Sequence, residues 1–323
     1  MTEPAVDQLK ALVDAFKLSQ AINVAAELGI ADLLPRTADE VAAETGTDPQ
    51  TLYRLLRALA AGGVFHEGEN RLFTLTPVGE ALRADAEPAL RDWIRHTVRP
   101  VNWNAWPGLL ESMRDGSNAF ANVHGESMWT FRAARPEEQE AFDRGMASLT
   151  DREQRGVLAA VDWSRFGTIV DVAGGTGALL KAILAEHAGV RGVLFDRPVA
   201  LEGVEGVEVA AGDFFESVPE GADAYLLKHI SHDWEDDDFA RILATVRRAA
   251  APGAVVLVVD RDLGGPNEDL EVKLADLNML VLPGGRERTE AEIAALLEAA
   301  GFRYTGATPA HGSLTVFEAQ VRL

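Results

Sequence analysis

Two stretches of this 323-residue chain gather side chains that could do chemistry. The first is Lys228-His229-Ile230-Ser231-His232-Asp233-Trp234. Histidine is the side chain whose ordinary pKa suits proton transfer near neutrality, so His232 is a candidate general base. His229 and His232 with Asp233 could instead hold a metal ion, but no further cluster of ligands stands nearby in the chain, and no metal site is read here. Asp260 and Glu287 are candidates to hold a histidine by its other nitrogen, with ordinary ion pairing to Arg261, Arg286 or Arg288 as the competing use. The second stretch is Asp171-Val172-Ala173-Gly174-Gly175-Thr176-Gly177, in which glycines let the backbone turn tightly and approach a ligand.

The glycine stretch meets only half of the dinucleotide fingerprint. Gly175-Thr176-Gly177 supplies the first two glycines, but Leu180 stands where the third should be, and no Walker lysine follows. Asp196, 19 residues after Gly177, has the acceptors to take both ribose hydroxyls, a use shared with NAD sites. Asp213 is followed by Phe214, an acid for an adenine amino group beside a ring to pack on the base, although a turn or helix cap is the plainer use of Asp213. With Asp171, these carboxylates match an adenosine bearing a cationic tail and would repel a diphosphate.

The elements that must position these residues follow from periodicity. Thr168–Ala173, Val190–Asp196, Val207–Asp213, Ala224–Ile230 and Ala254–Asp260 read as strands. Ala178–His187, Asp236–Ala250 and Glu290–Ala300 read as helices, and Leu314–Gln320 as a last strand. Apolar strands with helical crossovers predict a parallel sheet covered on both faces, an α/β Rossmann-like domain over residues 156–323. The chemical residues then fall at the carboxyl ends of strands, where such sheets bind ligands. The acidic run Glu235-Asp236-Asp237-Asp238 suits a helix start and is structural, and Thr289 or Arg288 stands near the N-cap of the helix that follows.

Residues 1–100 read as a helical domain. In Ala38–Leu82, Asp48 is a fair N-cap before Pro49, Leu52, Leu55, Leu56 and Leu59 recur at helical spacing, and two apolar pieces around Glu67-Gly68-Glu69-Asn70 make a hairpin. Helix, helix, hairpin is a winged helix. Seven acidic residues against three arginines there (Arg54, Arg57, Arg71) argue against a DNA reader. The Asp7–Leu28 helix is apolar over more than one face, which predicts burial against a second subunit. Residues 101–155 read as linker helices rich in large side chains. Trp106, Phe120 and Met146 among them, with Asn278 and Met279 further on, are candidates to face a substrate, though core packing is the plainer use.

Composition narrows the function classes. The net charge of −21 is a poor match for nucleic acid, no apolar run is long enough to cross a bilayer, and cysteine is absent, which excludes disulfides and thiolate chemistry. Met1-Thr2-Glu3-Pro4 has neither a basic nor an apolar leader, so a cytoplasmic protein is expected.

The chain resembles the small-molecule O-methyltransferases that include plant caffeate and flavonoid enzymes and bacterial polyketide-tailoring enzymes. The likeness is carried by Asp171–Gly177, Asp196, Gly212-Asp213-Phe214, Leu227-Lys228 through His232-Asp233-Trp234, and Gly284-Gly285-Arg286-Glu287-Arg288-Thr289. It implies a homodimer formed through the N-terminal domain and the cofactor S-adenosylmethionine (SAM), left as S-adenosylhomocysteine. By that likeness Gly175 and Gly177 line SAM, Asp196 meets the ribose, Asp213 and Phe214 the adenine, and Lys228 the cofactor's edge. His232 is then the base that takes a proton from a small aromatic substrate, with Asp260 and Glu287 orienting it. Ala173 stands where the family usually has a first glycine, and Asp260 where plant members carry glutamate. Some bacterial relatives use SAM for hydroxylation or decarboxylation, and His232 argues against those outcomes. A winged-helix regulator sensing a metabolite is a further alternative.

Overall fold

The structure, a computed structural model, describes residues 3–322, apart from the side chains of residues 150–152. The expectations that touch Met1, Thr2 and Leu323 lie outside the described residues. Two compact units are formed, one by residues up to Trp103 with Glu137–Arg152, the other by Asn104–Pro136 with Glu153 onward. Among the described residues, no helix is long and apolar enough to cross a membrane.

In the first unit, Thr37 caps the helix Ala38–Thr45 and Glu40 returns the bond, a reciprocal capping box. The Asp48 side chain accepts from the Thr51 amide at 2.8 Å, and Pro49 opens the helix Pro49–Ala61, as expected. Leu52, Leu56 and Leu59 are buried, while Leu55 is only partly so. Strands β1 (Arg36–Thr37), β2 (Phe65–Glu67) and β3 (Leu72–Leu75) pair antiparallel in the order β1-β3-β2, which adds one short strand to the expected hairpin. The first helix, Glu3–Glu27, buries only Ala25 and Ala26 and exposes Leu9, Leu12, Val13 and Phe16, an apolar face that this chain leaves uncovered.

The second unit is built on a sheet of β4 (Thr168–Val172), β5 (Arg191–Asp196), β6 (Glu208–Ala211), β7 (Ala224–Lys228), β8 (Val255–Arg261), β9 (Phe302–His311) and β10 (Leu314–Val321). Among the described residues the order is β6-β5-β4-β7-β8-β10-β9. Strands β4 to β8 run parallel, and β10 lies antiparallel to both β8 and β9. The sheet is therefore mixed, which corrects the expectation of a parallel one. β9 escaped sequence reading because Gly306 and Pro309 interrupt its pattern, and an edge strand tolerates both. Alternate residues feed two apolar clusters. Val170, Phe195, Tyr225, Leu227 and Val258 pack with Phe239, Ile242 and Leu297; Ile169, Leu194, Leu226 and Val259 pack with Trp163, Leu179 and Ile183. The sheet is thus covered on both faces, and the helices Ala178–Glu186, Asp236–Ala249 and Glu290–Ala299 end within a residue of expectation.

Helix Pro136–Ala160 enters this unit at Glu153. A Cβ added to Gly156 would lie 2.2 Å from the Ala310 carbonyl oxygen, so the helix meets the end of β9 backbone to backbone. Alanine usually stabilises a helix over glycine by roughly 0.5–1 kcal/mol. We expect Gly156→Ala to do the reverse, lowering stability by about 1–3 kcal/mol through overpacking, as read by urea denaturation. An unchanged or higher midpoint would refute this contact.

Candidate active site

The strand order places a switch point between β4 and β7. The chain runs outward from β4 to β5 and β6, then returns to the other side of β4 for β7 and β8. Carboxyl ends of parallel strands share one edge, so Asp171, Asp196, Lys228 and Asp260 come to neighbouring positions along it.

After β4 the backbone passes through the left-handed region at Ala173 (φ 57°), Gly175 (φ 58°) and Gly177 (φ 71°). Gly174 is required sterically, since a Cβ there would lie 2.4 Å from the Asp171 carboxylate. At Gly175 a Cβ would meet nothing within 4 Å, so the loop presents open backbone. Asp196 braces this loop by accepting from the Gly175 amide at 2.9 Å and the Arg197 amide at 2.7 Å. Asp171 is buried. Burial, and then the charge of Asp196, push its carboxyl up to about 7 against the opposing pull of Lys228. Such a carboxyl is suited to receive a cation.

Asp213 is exposed and accepts from the Phe215 amide at 2.8 Å, the turn-capping use weighed above. Phe214 packs edge-on against Phe215 and Trp234. Lys228 pairs with Glu153 at 2.8 Å, both side chains being under one-tenth exposed. Glu153 also accepts from His229 Nε2 at 2.9 Å. Burial would raise the Glu153 carboxyl, but His229 and Lys228 outweigh it and hold the group well below the usual carboxylate range.

His232 sits on a short 3-10 turn, Ser231–Asp233, and is buried. The strand β7 stops at Lys228, two residues before the expected end, because His229 turns left-handed (φ 56°) and redirects the chain. The His232 Nδ1 lies 2.8 Å from Asp260 Oδ1 and 3.3 Å from Glu287 Oε1. Burial alone would lower its pKa, but the charges of Asp260 and then Glu287 outweigh that and hold it well above the ordinary histidine value. Asp260 reaches further by its other oxygen, accepting from the Ser231 amide (3.0 Å) and hydroxyl (2.6 Å). Glu287 also faces Arg261 at 3.4 Å, so both uses weighed for it occur at once. Arg286 turns instead to Glu292, and the Thr289 side chain caps the following helix. The structure thus brings His232, Asp260 and Glu287 together.

The linker segments pack within the same unit. Trp106 lies on a turn against Ala119–His124, the helix that carries Phe120. That helix and Leu109–Asp115 pack on Leu270–Val281, the helix of Asn278 and Met279. Asn118 ties them by donating to the Leu280 carbonyl at 2.9 Å. Phe120 is fully buried and Trp106, Asn278 and Met279 partly so, while Met146 belongs to the first unit. Sequence reasoning missed Glu153, which sits in no motif, and the stack of Trp129 on Trp234 (5.9 Å between centroids, 17° between planes). It also missed Arg288 as a clamp. Its guanidinium is buried and donates to the Ser231 carbonyl (2.5 Å), the Trp234 carbonyl (2.7 Å) and Asp236 (2.9 Å).

Comparison with known proteins places the chain in a family. Residues 106–303 match the model of the O-methyltransferase domain, and residues 11–85 that of the O-methyltransferase dimerisation domain. The chain belongs to the O-methyltransferase family. The mitomycin biosynthesis 6-O-methyltransferase of Streptomyces lavendulae is 41% identical over 306 residues, covering 90% of this chain and 87% of that one. The phenazine O-methyltransferase PhzM of Lysobacter antibioticus is 35% identical over 331 residues, covering 98% and 96%. The crystal structure of human N-acetylserotonin methyltransferase in complex with SAM superposes with a TM-score of 0.93 at 26% identity, covering 100% and 99%. The protein is a SAM-dependent O-methyltransferase of the small-molecule, natural-product type.

The left-handed backbone at Ala173 generates a prediction. A side chain there is strained where glycine is not. Ala173→Gly is expected to raise stability by roughly 0.5–1 kcal/mol, the strain relieved less the extra flexibility of the unfolded chain, while binding of S-adenosylhomocysteine by calorimetry stays the same. A loss of stability would show that the loop relaxes differently.

Proposed function

We propose that this enzyme methylates a phenolic hydroxyl of a small aromatic natural product, with His232 as general base and Asp260 and Glu287 as its orienting acids. The observation that carries the reading is the buried approach of His232 Nδ1 to the two carboxylates, at 2.8 Å and 3.3 Å. Both contacts are made by Nδ1, which leaves Nε2 as the nitrogen to take a proton. A phenol has a reference pKa of about 10, so its oxygen gains nucleophilicity as the proton leaves. The imidazolium formed on His232 is balanced where it stands by Asp260 and Glu287. That arrangement is superfluous for hydroxylation or decarboxylation, which favours methyl transfer.

The residues present fit SAM. Asp171, Gly175, Gly177, Asp196, Asp213, Phe214 and Lys228 are the proposed holders, supported by the open backbone at Gly175 and the buried carboxyl of Asp171, pushed up to about 7. When bound, SAM supplies a methyl group on a positively charged sulfur that leaves as a neutral thioether. Trp106, Phe120, Asn278 and Met279 are the proposed substrate-facing residues of the second unit, where apolar walls exclude water and position the acceptor. The relatives named for mitomycin and phenazine support an aromatic acceptor.

His232→Gln is expected to lower turnover at neutral pH by roughly 10²–10⁴, the usual worth of a general base, with S-adenosylhomocysteine affinity barely changed. The wild-type kcat/KM should rise with pH through a value above 6.5, because the base acts only after shedding the proton its raised pKa retains. The variant should lose that limb and recover at high pH, where solvent ionises the phenol. Near-normal turnover by a folded His232→Gln protein would remove His232 from this role.

We also propose a homodimer, supported by the match to the dimerisation domain and the uncovered apolar face of Glu3–Glu27. Light scattering should give twice the 34.8 kDa chain mass. Leu12→Glu with Phe16→Glu should shift it toward one chain, whereas a wild-type monomer at micromolar concentration would contradict the proposal.

A further inference from the structure

Behind the proposed base lies a second imidazole that the reaction does not use. His229 Nε2 faces Glu153, and Glu153 is also held by the Lys228 ammonium at 2.8 Å. A carboxylate shared between two donors only accepts, so the His229 proton sits on Nε2. Its Nδ1 is then a bare lone pair, and it points at Asp260 Oδ1, another acceptor, 3.5 Å away. His232 stacks on the same ring, 5.2 Å between centroids and 23° between planes, and turns its own Nδ1 to the same oxygen. His229 Nδ1, His232 Nδ1, Asp260 Oδ1 and Glu287 Oε2 are all buried, and none makes a well-directed hydrogen bond to a described residue. The 2.8 Å approach of His232 to Asp260 is close without being aligned. One ring nitrogen each of His229 and His232 and one Asp260 oxygen all lie within 4.8 Å of one another.

His229 Nδ1 and the carboxylate oxygens of Asp260 and Glu287 are acceptors converging in a buried space, and they need something positive between them, either the proton on His232 Nδ1 or a cation in its place. We propose that His229, His232 and Asp260, with Glu287 beside them, form a site for a divalent transition metal of the zinc class, and that metal binding there inhibits the enzyme. Two imidazoles and a carboxylate are the ligand types that zinc prefers over magnesium or calcium, which take oxygen. The Glu153 contact is the outer support that such ligands require, because a metal-bound histidine gives its other N–H to a carboxylate and is fixed in one tautomer by it. Inhibition follows from proton placement. A cation on His232 Nδ1 displaces the proton there, and the neutral ring's one remaining proton then resides on Nε2. That nitrogen becomes a donor and no longer takes a proton from the acceptor hydroxyl. The inhibitory consequence rests on His232 as base, whereas the site itself does not.

The test is equilibrium dialysis of the full-length enzyme against zinc chloride, with magnesium chloride as control and metal analysis as readout. Wild type should retain one zinc per chain at micromolar free zinc and no magnesium. His229→Phe keeps a ring of similar size without the nitrogens. It should weaken zinc by about 10–100-fold or more while still binding S-adenosylhomocysteine, which reports an intact fold. His229→Gln serves the same purpose if the phenylalanine variant fails that check. No zinc retained by wild type, or equal zinc retained by the His229 variant that binds S-adenosylhomocysteine, overturns the site. In the kinetic arm, zinc should suppress wild-type turnover and a chelator should restore it. Zinc that binds through His229 without slowing turnover upholds the site and counts against His232 as the base.

Discussion

The buried guanidinium of Arg288 is the constraint on which the rest of the site depends. It grips the carbonyls on either side of His232, those of Ser231 and Trp234, and anchors to Asp236 at the start of the next helix. Its planar fork does what a lysine point charge would not, holding several acceptors at fixed angles. The chain that delivers Arg288 must lie against the same turn. A Cβ at Gly285 would stand 2.2 Å from the His232 carbonyl oxygen, so only glycine permits that approach. Gly285, Glu287 and Arg288 therefore act as one device: the first lets the segments touch, the second supplies a carboxylate to His232, and the third locks the backbone between them.

That device lets the protein hold charges that burial disfavours. Asp260 and Glu287 are each under 2% exposed, which is costly for carboxylates in isolation. Burial would raise the Asp260 carboxyl, but the charge of His232 outweighs it and holds the group well below its usual range. Positive backbone angles at Ala173 and His229 add local strain at the two loops where ligands are expected. The cost is met by the sheet beneath, whose strands β4, β5, β7 and β8 are buried on both faces.

Most of the frame was legible from local chemistry. Apolar runs punctuated by glycine and acid marked the parallel strands, and Asp48-Pro49 and Thr289 marked helix starts that the structure uses. The grouping of His232, Asp260 and Glu287 was reachable because each ends or follows a strand or leads a helix at one edge of the sheet. Glu153 was not, since a single glutamate on a long amphipathic helix carries no sign of what it will meet. Asp213 shows the limit from the other side: its motif suggested an adenine acceptor, but its carboxylate also caps its own turn. The ligand potential of His229 depended on a left-handed residue that turns the ring back, and no residue type announces that angle.

The two halves of the site are tied electrostatically. Burial and the charge of Asp196 push the Asp171 carboxyl up to about 7, and the charges of Asp260 and Glu287 hold His232 above its ordinary value. Asp171 lies on β4 and His232 follows β7 along the same sheet edge, with Lys228 and Glu153 paired between strand and linker helix. A cation received beside Asp171 favours the ionised carboxylate and opposes positive charge on His232. Both effects release protons, so under the proposed assignment binding a cationic methyl donor and freeing His232 to accept a proton would be one linked equilibrium. Proton placement, held by a handful of buried contacts, is thus what the fold contributes beyond bringing two molecules together.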